Sequence, residues 1–285
     1  MPKLGNLASR VLVAVVAAPL LIWAIYQDSA LPTWALVFVA SLLAMSEFFA
    51  MTIADKFDRM VSLGIGTAAV AAFYWLGSSG AIGAHLIDGH IIVMVLATMV
   101  PMFYYLFRFG DMNTVANRVG FTIMGIFYGG ILVTFIALVR RDFGFDNHVV
   151  GGHLVVLLLL TAWLADTGGY FAGKALGKRK LYPDVSPNKT WAGSIGGTLC
   201  SIGGGVAFKM FLLTEMPWMD ILILTGIGSV IGQLGDLAES MIKRSVGVKD
   251  SGAILPGHGG MLDRIDAVLM IAPFYYLYLT LVAFA

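Results

Sequence analysis

Residue types suited to phosphate and metal-ion chemistry gather between Gly235 and Asp266. Asp236 and Glu239 open the stretch, Lys243, Arg244 and Lys249 follow, and Asp263, Arg264 and Asp266 close it. If Asp236 to Arg244 is helical, then Asp236, Glu239, Ser240, Lys243 and Arg244 share one face at spacings of three and four residues. Asp263 and Asp266 stand one turn apart, with Arg264 between them. Carboxylates from two helix ends can hold Mg²⁺ jointly, because that ion takes oxygen ligands and keeps waters or substrate phosphates in its other positions. Between them, Pro256-Gly257-His258-Gly259-Gly260 is a glycine-rich turn whose amides can approach a phosphate. Each motif alone is weak: aspartates often pair with lysines, and a lone loop histidine is more often a spacer than a base. Together they supply acids for a metal, cations for phosphates and glycines for close approach. That combination points to phosphoryl or nucleotidyl transfer.

Two further segments belong with it. The apolar run LVVLLLLTAWLA meets Asp166-Thr167-Gly168-Gly169-Tyr170, and an aspartate in or near a membrane helix usually faces a polar cavity, a partner or an ion. A structural ion pair with a neighbouring lysine is the plainer alternative. Lys174 to Thr190 carries five basic residues against one acid, Asp184. Topology control and attraction to anionic lipid explain such a loop on their own. Ser186-Pro187-Asn188-Lys189-Thr190 is more pointed: Pro187 is expected to stiffen a turn, and a helix N-terminus with a lysine beside it is a ready phosphate site.

The elements that must position these residues are hydrophobic. The chain has 285 residues, 59% hydrophobic and 12% charged, with a mean hydropathy of +0.86. A soluble domain carries about a quarter charged residues. The expectation is an all-α, polytopic integral membrane protein. Its lone Cys200 excludes a disulfide framework and a cysteine-based zinc site. Crossing a bilayer takes roughly 17–25 apolar residues, and about nine such runs are legible, near 7–26, 31–53, 60–77, 90–107, 119–139, 154–173, 191–213, 219–235 and 267–285. No cleavable signal peptide is expected, since the run from Val11 lacks a small-residue cleavage site and others follow it. Residues 1–153 read as N-terminal transmembrane helices and 154–285 as a catalytic transmembrane region, with charged cytoplasmic loops over 174–190 and 236–266. With a cytoplasmic N-terminus, nine spans put 15 of the 18 basic residues on one side, leaving Arg140, Arg141 and Lys209 on the other. A single missed helix would reverse every later loop, so the split supports the count and a cytoplasmic active-site face.

The order Ser240-x-Ile242-Lys243-Arg244, then Lys249-Asp250-x-Gly252, then Leu255-Pro256-x-His258-Gly259-Gly260-x-x-Asp263-Arg264-Ile265-Asp266 resembles the signature of phosphatidate cytidylyltransferases, also called CDP-diacylglycerol synthases. ADTGGYFAGKALGK from Ala165 and SPNKTWAG from Ser186 also resemble their counterparts there. The motifs cover roughly Leu164 to Asp266, and so long a signature with this many fixed polar positions is specific.

That resemblance implies a Mg²⁺-dependent reaction of CTP with phosphatidate, giving CDP-diacylglycerol and pyrophosphate in phospholipid synthesis. It assigns the catalytic metal to Asp236 and Asp263, with Asp166 and Asp266 next in line for a second, monovalent cation or for orienting the first ion's ligands. Lys189, Lys243, Arg244, Lys249 and Arg264 become phosphate ligands, with hydrogen bonds from Ser186, Asn188 and Thr190. His258, Gly259 and Gly260 are expected against phosphate rather than in proton transfer. CTP is placed near Lys243 to Arg264 and the lipid phosphate near Ser186 to Thr190. The partners expected are CTP, phosphatidate and membrane lipid, with no nucleic acid; the family and the glycine-rich spans are compatible with a homodimer. The expected location is a bacterial inner membrane. Rival readings are a related lipid cytidylyltransferase, a CTP-dependent polyprenol kinase releasing CDP, and a transporter. A transporter would spread charge through several spans with repeat symmetry, whereas here charge gathers at one face of the C-terminal half.

Overall fold

The structure, a computed structural model, describes residues 18–77, 88–144, 148–252 and 259–284. After a helical stretch over 18–25 come α1 (Leu31–Thr52), α2 (Lys56–Leu76), α3 (Gly89–Phe107), α4 (Met112–Gly125) and α5 (Leu132–Asp142). Then follow α6 (His148–Leu176), strands β1 (Lys180–Tyr182) and β2 (Ser186–Thr190), α7 (Trp191–Phe211), α8 (Trp218–Ser245) and α9 (Leu262–Tyr278). π-helical turns at Ile126–Ile131 and Leu279–Ala283 join α4 to α5 and extend α9.

Among the described residues, seven helical runs are long and apolar enough to cross a membrane. This is a polytopic membrane protein. Those seven match the expected spans except the first and seventh. The first falls mainly on residues outside the described set. The seventh is α7, a helix of 21 residues diluted by glycine. Exposed Trp23, Trp75, Phe103, Phe107 and Leu199 are what a lipid-facing surface requires, because helices already satisfy their own backbone groups.

The chain forms two compact units. One contains Thr33–Ala137 and Asp250–Arg264; the other contains Leu20–Pro32, Leu138–Lys249 and the chain from Ile265 onward.

In the first unit, aspartates cap three helices: Asp55, Asp88 and Asp111 accept the N–H groups of Asp58, His90 and Asn113 at 2.8, 2.9 and 3.0 Å. Asp58 is itself buried and accepts from Tyr104 Oη at 2.7 Å, Arg108 Nε at 2.9 Å and Arg118 Nη1 at 3.2 Å, tying α2 to α4 and to the end of α3. Removing one partner of a buried pair is costly, but Arg108 is 47% exposed and water would recover part of the loss. Asp58→Ala is therefore expected to cost about 2 kcal/mol of stability, read as a lowered detergent-phase melting temperature. Asp58→Asn, which keeps an acceptor, should lose less.

In the second unit, α6 and α7 cross at backbone distance. A Cβ on Gly197 would lie 2.4 Å from the Ala165 carbonyl oxygen, and one on Gly168 would lie 2.4 Å from Cys200 Cβ. Small residues at such a crossing permit van der Waals contact along the backbone. Polar groups deep in this bundle are paired. Thr161 and Tyr275 hydroxyls stand 2.7 Å apart, and Ser201 donates to the Thr161 carbonyl at 2.8 Å. Arg140, 2% exposed, donates from Nε to the Ile25 carbonyl at 2.7 Å and from Nη2 to that of Gln27. It thereby satisfies acceptors at the end of the 18–25 helix.

One local expectation is corrected and one conditional reading is met. Pro187 lies within β2, paired antiparallel to β1 with Tyr182 opposite Ser186, rather than in a turn. In a two-stranded sheet both strands are edges, where the missing N–H of proline is tolerated. The charged segment after span eight is helical at first, because α8 runs on to Ser245 before Gly247 turns the chain with φ of +77°.

Candidate functional site

A cavity of about 480 Å³ lies in the second unit, within the size range of small-molecule sites. Helix α6 contributes Asp166, Gly169, Tyr170, Gly173 and Lys174, β2 contributes Asn188, Lys189 and Thr190, α7 contributes Gly193 and Ser194, and α8 contributes Gln233 and Asp236. Three sequence-distant motifs therefore meet in one space. The hairpin is what brings the SPNKT segment there: β2 runs directly into α7, and Thr190 caps that helix by accepting the Gly193 N–H at 3.1 Å. The remaining leading amides and the positive end of the α7 dipole favour an anion at this end.

Lys189 Nζ stands 2.6 Å from Asp236 Oδ2, with both side chains about a quarter exposed. Beside this pair is an acidic cluster. The charges of Asp236, Glu239 and Asp166 all act on Asp266, whose Oδ1 accepts the Ala267 N–H at 2.7 Å. Gly235 lets α8 approach α9 here, since a Cβ on it would come within 3.0 Å of the Asp266 carbonyl. Glu239 is buried and pairs with Lys243, also buried, at 2.5 Å. Among the described residues no group of three or more potential ligands stands ready as a metal cage. Mg²⁺ does not need one, since it usually binds through one or two carboxylates and substrate phosphates. A donor set made wholly of carboxylates fits that hard ion.

Asp263 lies in the first unit, where its Oδ2 accepts the N–H groups of Ser251 and Gly260, both at 3.0 Å. A carboxylate offers about four acceptor positions, so these bonds are compatible with metal coordination by the same group. Gly259 sits in the turn with φ of +78°, a conformation glycine adopts without strain.

Of the remaining expected site residues, Ser186 is half-buried in β2 but is not among those lining the cavity. Arg244, exposed, donates to the Val248 carbonyl at 2.9 Å and closes the end of α8. Lys249 and Arg264 are exposed. His258 lies outside the described residues. Sequence reasoning missed Glu47, which is buried in α1 and accepts hydrogen bonds from Ser251, Met261 and Leu262. Its signal was available: it is the only charged residue of an otherwise uncharged helix, the same anomaly that marks Asp166.

Both α6 and α7 line the cavity, so a substitution at their crossing should be felt in the site. Gly197→Ala is expected to spread the helices beside Asp166. Ligand-binding affinity should fall more than thermal stability, checked by titration calorimetry beside a melting curve.

The model of the cytidylyltransferase family matches residues 8–282. The chain belongs to the cytidylyltransferase family. Relatives named phosphatidate cytidylyltransferase occur in Brucella suis biovar 1 (strain 1330), 41% identical over 161 residues, and in Bacillus subtilis (strain 168), 41% identical over 165 residues. Another, from Staphylococcus aureus (strain COL), is 45% identical over 153 residues. These matches cover 56%, 58% and 54% of this chain and 57%, 60% and 56% of the relatives. The chain thus aligns with under two thirds of each relative's length.

Proposed function

We propose that the chain is a phosphatidate cytidylyltransferase. A phosphate oxygen of phosphatidate bonds to the α-phosphorus of CTP, the bond to the β-phosphate breaks, and pyrophosphate leaves with its electron pair. The product is CDP-diacylglycerol. The observation that carries this reading is the meeting of Asp166, Lys189 and Asp236 around one cavity; the relatives' names support the choice of substrates.

The residues divide by charge. Lys189, Asn188 and the α7 amides suit a phosphate group, and Lys174 adds a second cation at the same cavity. Asp236, Asp166 and Asp266 suit Mg²⁺, with the same acids available to a monovalent ion. A bound Mg²⁺ would neutralise charge on the triphosphate and on departing pyrophosphate. When Lys189 turns to a phosphate and Asp236 to a cation, one ion pair is exchanged for two, so neither side chain is left unpaired. Phosphatidate is largely ionised at neutral pH, so no general base is required, and orientation with charge stabilisation carries the catalysis. The test is pyrophosphate release by the detergent-purified chain given CTP, phosphatidate and Mg²⁺. Release should require all three; CDP in place of pyrophosphate would overturn the reading in favour of a kinase.

The cation-rich side is proposed to be cytoplasmic, in the inner membrane of a bacterium. In a Cys200→Ala background, a membrane-impermeant thiol reagent should label Asp184→Cys in inverted vesicles and Glu215→Cys in intact spheroplasts. The reverse pattern would invert the orientation.

A further inference from the structure

Glu47 is 3% exposed within a membrane-spanning helix, a costly place for a carboxylate unless its oxygens are hydrogen-bonded. Oε1 accepts the Met261 N–H at 3.0 Å, and Oε2 accepts the Leu262 N–H at 2.9 Å and the Ser251 hydroxyl at 3.3 Å. The two amides lead into α9, where N–H groups have no partner inside the helix and the dipole presents its positive end. Two glycines of the signature are accounted for by the same carboxylate. A Cβ on Gly252 would lie 2.7 Å from Glu47 Oε1, and one on Gly260 would lie 2.5 Å from Oε2 and 2.1 Å from Ser251 Oγ. Asp263 meanwhile holds the amides of Ser251 and Gly260 at 3.0 Å. Glu47 and Asp263 therefore grip the same two backbone segments, and the position of one constrains the other.

We propose that Glu47 is a positioning residue: it fixes the Ser251–Gly252 and Gly259–Leu262 segments and with them the Asp263 carboxylate, which the signature's resemblance assigns to the catalytic metal. The inference rests on the cytidylyl-transfer reading. A charged acceptor suits the task, since it takes N–H and O–H donors without presenting a donor of its own. Glutamine would set an amide N–H₂ against a backbone N–H.

The experiment compares wild-type, Glu47→Gln and Glu47→Asp full-length proteins in detergent, measuring kcat, KM for CTP, the Mg²⁺ concentration for half-maximal rate, and melting temperature. Groups that orient catalytic ligands typically contribute 10–100-fold. Glu47→Gln should lower kcat by about that factor and raise the Mg²⁺ requirement, both by more than its lowered melting temperature accounts for. A rate loss that only tracks lost stability, with an unchanged Mg²⁺ requirement, would reduce Glu47 to a packing role and overturn the proposal. A readout independent of activity is the melting temperature of Gly252→Ala in two backgrounds. The substitution should lower it sharply in wild type and much less with Glu47→Asp, whose carboxylate is withdrawn by one methylene. Equal losses in both would show that Glu47 does not confine the turn. Inactive wild-type protein would remove the reaction and this inference together; active wild type with an equally active Glu47→Gln would remove the inference alone.

Discussion

Replacing Asp236 by asparagine is expected to lower turnover by at least about 10²-fold, the scale associated with removing one preorganised electrostatic group from a reaction centre. The side chain keeps its shape but loses its charge and exchanges one acceptor oxygen for an amide donor. Its partner Lys189, at 2.6 Å, is partly exposed, so water can solvate the ammonium and the stability loss should stay near 1 kcal/mol or below. Activity and stability therefore separate in this variant. A purely structural ion pair predicts the opposite outcome for the double variant Lys189→Met/Asp236→Asn: removing both charges would restore function. On the present account the double variant melts close to wild type and remains inactive, because the cavity has lost a phosphate ligand and a cation ligand together. Initial rates and melting curves on the three proteins decide between the two.

The largest stability effect is expected at Glu239. It is 1% exposed and pairs with Lys243, 8% exposed, at 2.5 Å on consecutive turns of α8. Glu239→Ala removes the carboxylate paired with a buried ammonium and should cost about 3–5 kcal/mol. Pairing Glu239→Leu with Lys243→Met removes both charges and fills the space with apolar atoms, a change that often preserves or raises stability. If Lys243 serves only as the partner of Glu239, that double variant will be stable and active. If Lys243 also acts on a substrate phosphate, as the signature's resemblance implies, the double variant will be stable and slow. Chemical or thermal unfolding in detergent measures the first effect, and turnover at saturating CTP the second.

The membrane class was legible because composition and run length report directly on whether a segment can bury its backbone in hydrocarbon. Span positions followed for the same reason, and α7 shows the limit: glycines that let it lie against α6 also lower its hydropathy. Asp166, Lys189 and Asp236 were legible as anomalies, charged residues placed beside apolar runs. Their convergence on one cavity was not, because it depends on the β1–β2 hairpin, two short strands in a stretch whose basic residues read as a loop. Pro187 was misplaced for a related reason, since its preference for turns says nothing of an exposed edge strand. The pairing of Lys243 with Glu239 follows from i, i+4 spacing, but its burial depends on neighbouring helices that spacing does not reveal. Glu47 lies over two hundred residues from the amides it binds, so its partners had no local signature. Only its isolation in an apolar helix marked it.

The most direct test of the central claim follows the label from CTP into lipid. Purified protein is given phosphatidate, Mg²⁺ and CTP labelled either in the cytosine ring or at the γ-phosphate. The account predicts that ring label moves to the lipid fraction as CDP-diacylglycerol, that γ label leaves as pyrophosphate, and that Asp236→Asn abolishes both. Transfer of γ label to lipid, with ring label left behind in CDP, would contradict it.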